Sequence, residues 1–249
     1  VTLVAGTAVE AVTFDYWNTL VYEERGHLRG RRIEAWTGIF EDVGFAVERE
    51  RLDAAFDASW TRYVESWTAN EQYQAARAAE DVLEDLGFDV PADVRTQLIE
   101  SFGRAGEEAE LHLTDGIEDT LLALKDAGIR LGIICDVGMT GSAILREHLI
   151  RHQILPLFDH WSFSDEVGAY KPSPVIFEHA LEGLGGPVPE RVAHVGDIRR
   201  TDVAGAKAMG MIAVRYIGVS DDQSQPEPEG DHVITKHAEL LDVLGVAVP

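Results

Sequence analysis

The sequence predicts an α/β protein: a parallel sheet covered by helices on both faces, with a helical block inserted after the first strand. Three observations predict it. Residues 11–15, Ala-Val-Thr-Phe-Asp, form a short apolar run of strand character. From about Gly26 to Glu110 apolar residues recur at helical spacing. From residue 129 onward, strand-like runs alternate with helix-like ones, the pattern of successive βαβ units.

Along the chain, residues 11–15 come first as a buried strand. In the helical block Ile33, Trp36, Ile39 and Phe40 share one face. Phe56, Trp60, Tyr63, Val64 and Trp67 share a second, and Val82, Leu83 and Leu86 a third. Gly44, Gly87 and Pro91 punctuate these runs, so four helices fit. The stripe Trp60, Tyr63, Trp67 reads either as an apolar lid pocket or as packing between helices, and packing is the commoner use. Leu113–Ile117 is the return linker. Strands follow at 129–135, 159–163, 191–196 and 211–216, with a short one at 232–234. Helices fall at 116–127, 141–152, 173–184, 201–209 and 236–244. That order gives a Rossmann-like sheet. Ser220–Gly230, rich in Asp, Gln, Pro and Glu, reads as an exposed loop. There are no internal repeats.

The 249 residues suffice for a real core and for one large domain or two smaller ones. No apolar run approaches the ~20 residues needed to span a bilayer. Residues 1–10 lack a basic start, which predicts no secretory signal. A single cysteine excludes an intrachain disulfide framework, and a cytoplasmic setting is the expectation. Acidic residues number 44 against 21 Lys plus Arg, a net charge of −23. Such a surface repels nucleic acid and anionic membranes, since phosphate backbones bind clustered Lys and Arg. An anionic substrate therefore needs local positive charge, and the chain has only four lysines: Lys125, Lys171, Lys207 and Lys236.

Chemistry concentrates at the ends of the apolar runs. Asp15 ends the first strand, where α/β proteins bind ligands, and can serve there as nucleophile, metal ligand or both; the plainer reading is a strand-capping acid. The second run, Leu131–Cys135, ends in a small side chain before Asp136. Gly168-Ala169-Tyr170-Lys171-Pro172-Ser173-Pro174 presents one lysine before two prolines. Val192–Gly196 ends in Gly-Asp at Asp197, with Asp202 five residues on. Taken singly, Asp202 is equally a first-turn acid facing a helix dipole. Lys171 is equally a surface lysine, and Cys135 a small buried apolar residue.

In this order the pieces resemble the haloacid dehalogenase-like hydrolases, a superfamily made up mostly of phosphatases, over nearly the whole chain. The resemblance implies an α/β core of residues 1–21 and 113–249 and a helical cap of residues 22–112 that closes on substrate. It implies Asp15 as the nucleophile that forms an aspartyl-phosphate, and Lys171 as its cationic partner at the phosphoryl group. Thr19, Cys135 and Asp136 would bind substrate, with backbone N–H groups of Asp136 and Val137 supplementing the weak thiol donor. Mg²⁺ would be held by Asp15, the Trp17 backbone carbonyl and Asp197, with Asp202 holding metal-bound water or the lysine. The expected partner is a small phosphorylated molecule; homo-oligomer formation is left open.

The departure from the family pattern is Trp17. Phosphatases of the family place a second aspartate there to protonate the leaving oxygen, and an indole cannot. Three explanations fit: a substrate with a good leaving group, such as an aryl or acyl phosphate; a substitute acid among His27, Asp165, Glu166 or cap residues; or chemistry other than phosphate hydrolysis. Family dehalogenases carry an aromatic at this position and need no metal, but lack the Gly-Asp seen here. A metal-independent 2-haloacid dehalogenase is thus the alternative, and a non-catalytic protein binding a phosphorylated ligand or a partner is the third. The Arg29, Arg31, Arg32 cluster reads either as a site for a substrate carboxylate or as a solvated helix face.

Overall fold

The computed structural model describes residues 9–224 and 227–246; residues 1–8, most of the N-terminal stretch considered above, and residues 225 and 226 of the acidic loop lie outside them. The chain forms two units. The first comprises Val1–Tyr22, His112–Asp136 and Leu149–Pro249; the second comprises Glu23–Leu111 and Val137–His148.

The first unit is built on a parallel six-stranded sheet. Its strands are β1 (Ala11–Phe14), β4 (Arg130–Cys135), β5 (His160–Phe163), β6 (Val192–Gly196), β7 (Ile212–Tyr216) and β8 (His232–Ile234), in the order β5-β4-β1-β6-β7-β8. Each lies within a residue of its predicted position. β1, β6 and β7 are buried along their whole length, as strands covered on both faces must be. A two-residue antiparallel pair that the sequence does not announce, β2 (Val21–Tyr22) with β3 (His112–Leu113), marks where the chain leaves and re-enters this unit. The helices are α5 (Ile117–Asp126), the short α7 (Ser164–Val167), α8 (Pro174–Gly183), α9 (Ala204–Ala208) and α10 (Glu239–Val243), with α6 (Ser142–Arg151) running across the boundary of the two units. The predicted helix 201–209 begins instead as a π-helical turn, Arg199–Val203. α8 and α9 bury Ile176, Phe177, Ala180 and Ala206 with Ala11, Ile134, Val192 and Ala213 of the strands.

β1 is flanked by β4 on one side and β6 on the other. The chain runs outward through β4 and β5, then crosses back to β6. The C-terminal ends of β1, β4 and β6 therefore meet where the winding reverses, the position at which open α/β sheets bind ligands.

His237, between β8 and α10, ties the chain exits together. Its Nε2 lies 2.9 Å from both the Thr19 carbonyl and Thr114 Oγ1, and its ring stacks on Tyr216 at 4.1 Å. Thr114 Oγ1 donates to the Thr19 carbonyl at 2.7 Å. His237 Nδ1 is buried with no partner among the described residues. A second ring proton would have no acceptor, and burial holds this histidine at about 4. The unfolded chain takes up that proton near pH 6.5 while the folded chain does not. Stability is thus lost as pH falls from 6.5 to about 4, at about 1.4 kcal/mol per pH unit, about 3 kcal/mol in all. His237→Gln is expected to remove this part of the acid destabilisation. Urea titrations of both proteins at pH 4.5 and 7 check it, and equal losses would show that His237 does not titrate this way.

The second unit holds four helices, α1 (His27–Asp42), α2 (Arg49–Thr68), α3 (Ala75–Leu86) and α4 (Ala92–Arg104), as the periodicity predicts. Trp36 is central, edge-on to Phe40, Phe56 and Phe102 at 5.5–6.0 Å, its Nε1–H donating to the Leu98 carbonyl. The aromatic stripe divides. Tyr63 packs on the core and meets Gly138 so closely that a Cβ there would collide with the ring, whereas Trp60 is 56% exposed. The arginine cluster also divides. Arg29 pairs with Asp53 and Asp57, and Arg31 with Glu108. Arg32 is buried, lying over the Phe102 ring and donating to the Met139 carbonyl at 2.7 Å and Thr140 Oγ1 at 2.9 Å. Those two bonds, with His148 Nε2 to the Gly106 carbonyl at 2.8 Å, explain why residues 137–148 group with these helices and not with the sheet.

Candidate active site

Asp15 is the first residue beyond β1. Its N–H donates to the Val195 carbonyl at 2.8 Å, continuing the ladder one step past the strand, and the residue is 7% exposed. The chain then turns tightly. The Tyr16 carbonyl accepts from Leu20 N–H and Val21 N–H, and the Asn18 N–H donates to the Val21 carbonyl. Asn18 adopts φ 55°, a left-handed conformation that asparagine tolerates better than most residues.

Lys171 enters from the loop after α7. It is 2% exposed, and its ammonium uses all three protons: on Asp15 Oδ1 at 2.5 Å, Asp202 Oδ1 at 2.6 Å and the Ile134 carbonyl at 3.0 Å. Asp136 fixes the loop from below, its Oδ1 accepting the Lys171 backbone N–H at 2.8 Å.

Asp202 sits in the π-helical turn, the kind of irregularity that recurs at functional sites. Its Oδ2 accepts from Ile198 N–H at 3.0 Å and from Thr201 Oγ1 at 3.3 Å; its Oδ1 accepts from His194 Nε2 at 3.0 Å as well as from the lysine. The carboxyl presses so closely on Gly196 that a Cβ there would lie 2.2 Å from its carbon, so the Gly before Asp197 is a steric requirement. Asp197 is the first residue beyond β6, is 3% exposed and accepts from Asn18 Nδ2 at 3.3 Å. Carboxylate oxygens of Asp15, Asp197 and Asp202 all lie within 4.8 Å of one another.

Three carboxylates against one ammonium leave a formal excess of two negative charges in a buried volume, a costly arrangement unless a cation or protons neutralise it. The titration directions express that imbalance. Burial, partly offset by Lys171 and reinforced by Asp202, pushes Asp15 up to about 7. Burial and the neighbouring Asp15 and Asp202 drive Asp197 well above the carboxylate range. Burial would raise Asp202 too, but Lys171 and His194 outweigh it and hold it well below that range. Burial would lower Lys171, but Asp15, Asp202 and Asp136 outweigh it and keep the ammonium charged. An all-carboxylate donor set with this excess of negative charge suits a hard divalent cation such as Mg²⁺.

Three predicted residues remain: Cys135, Thr19 and Trp17. Cys135 ends β4, fully buried, its thiol pushed up by burial and by Asp15. Thr19 is fully buried; its carbonyl faces Thr114 and His237, and its hydroxyl has no partner among the described residues. Trp17 is partly buried, edge-on to the fully buried Tyr16 with ring centroids 5.1 Å apart.

Sequence reasoning missed His194, Thr13 and Asn18. Burial lowers His194, and neutral His194 donates Nε2–H to Asp202 while its Nδ1 lies 2.9 Å from Thr13 Oγ1. The carboxylate, which can only accept, requires the Nε2–H tautomer, and Thr13 on the neighbouring strand lies against the other ring nitrogen. The available signal was a titratable residue inside an otherwise apolar strand run, three positions before Asp197.

The fold and this cluster define a hydrolase class, and comparison with known proteins agrees. The chain belongs to the haloacid dehalogenase-like hydrolases, whose family model matches residues 9–210. Over 132 residues it is 36% identical to the glyceraldehyde 3-phosphate phosphatase of Pyrococcus furiosus, covering 52% of this chain and 53% of that protein. The chain thus spans about half the length of these curated relatives. The hydrolase YfnB from Bacillus subtilis, solved bound to magnesium, shares the fold with a TM-score of 0.69 at 18% identity, covering 96% of this chain and 100% of that one. A 2-haloacid dehalogenase from Pseudomonas syringae shares it with a TM-score of 0.67 at 21% identity, covering 95% and 98%.

Proposed function

We propose that the protein is a Mg²⁺-dependent phosphatase acting on a small organic phosphate, with Asp15 as nucleophile. The observation that carries this reading is the buried group of three carboxylates around one ammonium at the C-terminal ends of β1 and β6. It is joined by the relatives named as phosphatases.

In this reading an Asp15 oxygen attacks phosphorus and the bond from phosphorus to the leaving oxygen breaks. The resulting aspartyl-phosphate is hydrolysed by water, which returns Asp15 as a carboxylate and releases inorganic phosphate. Lys171 holds Asp15 in place and presents its charge to the transferring phosphoryl oxygens. Asp202, steadied by His194 and Thr201, fixes the ammonium from the other side. Thr19 and Cys135 offer a hydroxyl and a weak thiol donor to the phosphate, and Asp136 holds the lysine loop. Asp15, Asp197 and the Trp17 carbonyl are the residues that would hold Mg²⁺, with Asp202 available through water or through the lysine; the ion supplies the neutralisation that lets a carboxylate approach a phosphate. The second unit serves as the cap.

The test is a panel of small phosphate esters assayed after EDTA treatment and again after Mg²⁺ is returned. Turnover is expected to vanish and recover, with a phosphorylated Asp15 peptide trapped by acid quench. Chelator-insensitive turnover would overturn the metal requirement. Trp17 gives a second reading, 2-haloacid dehalogenation, some substance, because halide departs without a proton. Halide release from 2-haloacids in EDTA, with every phosphate inert, would select it.

A further inference from the structure

We infer that the site is built for phosphoryl donors whose leaving group departs without a proton: aryl, enol and acyl phosphates in preference to alkyl phosphates. The inference rests on the phosphatase reading above and concerns what replaces a proton donor at position 17.

The local structure leaves little room for a donor from this loop. Trp17 is held by a bridge to Val21 and braced edge-on by buried Tyr16, so the residue two beyond Asp15 presents an indole and no exchangeable carboxyl. The ionisable groups gathered around Asp15 are committed, Asp197 to Asn18 Nδ2 and, in the reading above, to the cation. Lys171 has spent all three protons on Asp15, Asp202 and the Ile134 carbonyl. Asp202 accepts from Lys171, His194, Ile198 and Thr201 and carries no proton to give. His194 is fully buried with one nitrogen on Asp202 and the other on Thr13. Asp136 is engaged by the Lys171 N–H. Of the substitutes that the sequence suggests, His27 Nε2 accepts the Glu110 N–H, and Asp165 and Glu166 belong to α7.

Such a site can still complete both halves of the reaction for a weakly basic leaving group. In the first half Asp15 forms its bond to phosphorus as the phosphorus–oxygen bond breaks. The electron pair stays on the departing oxygen, which leaves as a phenolate, enolate or carboxylate. In the second half water adds to phosphorus, keeping one proton as the hydroxyl of the product and passing the other to a phosphoryl oxygen, while the bond from phosphorus to Asp15 breaks. The group expelled is the Asp15 carboxylate, itself a weakly basic leaving group, so this half needs no acid either. An alkoxide is far more basic and gains about 10²–10⁴-fold from general acid help, which an indole cannot give.

The experiment is a leaving-group series with Mg²⁺ present: acetyl phosphate, substituted phenyl phosphates of graded acidity, and ethyl and glyceryl phosphates. It is read as kcat/KM, which reports the step that breaks the bond to the leaving group. The expected result is a steep fall as leaving-group basicity rises, with alkyl phosphates at least ~10²-fold below the aryl ones. Trp17→Asp is expected to narrow that gap by raising the alkyl rates; the wild-type series stands by itself if this variant does not fold. A flat series, with ethyl or glyceryl phosphate turned over as well as p-nitrophenyl phosphate, would overturn the inference while leaving the phosphatase reading intact. No turnover of any phosphate, acetyl phosphate included, would overturn the phosphatase reading itself.

Discussion

Asp15→Asn is expected to lower kcat/KM for the best phosphate substrate by about 10⁴-fold or more, the scale on which removal of a covalent nucleophile is felt. Asparagine has nearly the same shape as aspartate, and Lys171 keeps its bonds to Asp202 and the Ile134 carbonyl. The ammonium therefore stays in place while the attacking oxygen is lost. The metal-free fold is not expected to weaken, because the substitution removes one of three buried carboxylates that share a single ammonium. A thermal melt of metal-free protein alongside the assay separates the two effects. Full activity in a folded Asp15→Asn protein would rule Asp15 out as nucleophile.

Much of this site was legible in the sequence because function and fold made the same demand on a few positions. A strand buried on both faces is a continuous apolar run, so the first polar residue after it is conspicuous: Asp15 after Phe14, and Asp197 after Gly196. Gly196 is legible for a second reason, since no side chain fits against Asp202. Lys171 stood out because lysine is scarce here and precedes two prolines. What stayed hidden belongs to pairing between strands. Thr13 and His194 are adjacent only because β1 and β6 run in register, an alignment invisible along one strand. The β2–β3 pair is too short to show a period of two. The attachment of residues 137–148 to the helical unit depends on where one buried arginine, Arg32, finds its acceptors, and a cluster of three arginines does not say which will be buried.

Lys171→Met tests the electrostatic balance most severely. Methionine fills the space of the lysine stem but withdraws the one positive charge among Asp15, Asp197 and Asp202, so three buried carboxylates face one another uncompensated. Breaking a buried ion pair from one side costs about 3–5 kcal/mol, which for a chain of this length corresponds to a fall of roughly 10 °C in the melting temperature of the metal-free protein. The loss should shrink as pH falls. Burial already holds Asp15 near 7 and raises Asp197 well above its ordinary value, so protons neutralise these acids in mildly acidic solution and the missing ammonium matters less. Mg²⁺ should act in the same direction as protons. A ligand that binds only the folded state stabilises it in proportion to the logarithm of its concentration over Kd. The variant offers the cation three negative charges where the wild type offers a net two, so its Mg²⁺-induced rise in melting temperature should be the larger. Calorimetric melts of both proteins at pH 5 and pH 8, with EDTA and with millimolar Mg²⁺, measure all of this at once. A variant as stable as the wild type in EDTA at pH 8, and no more responsive to Mg²⁺, would mean that these acids do not share one buried charge cluster.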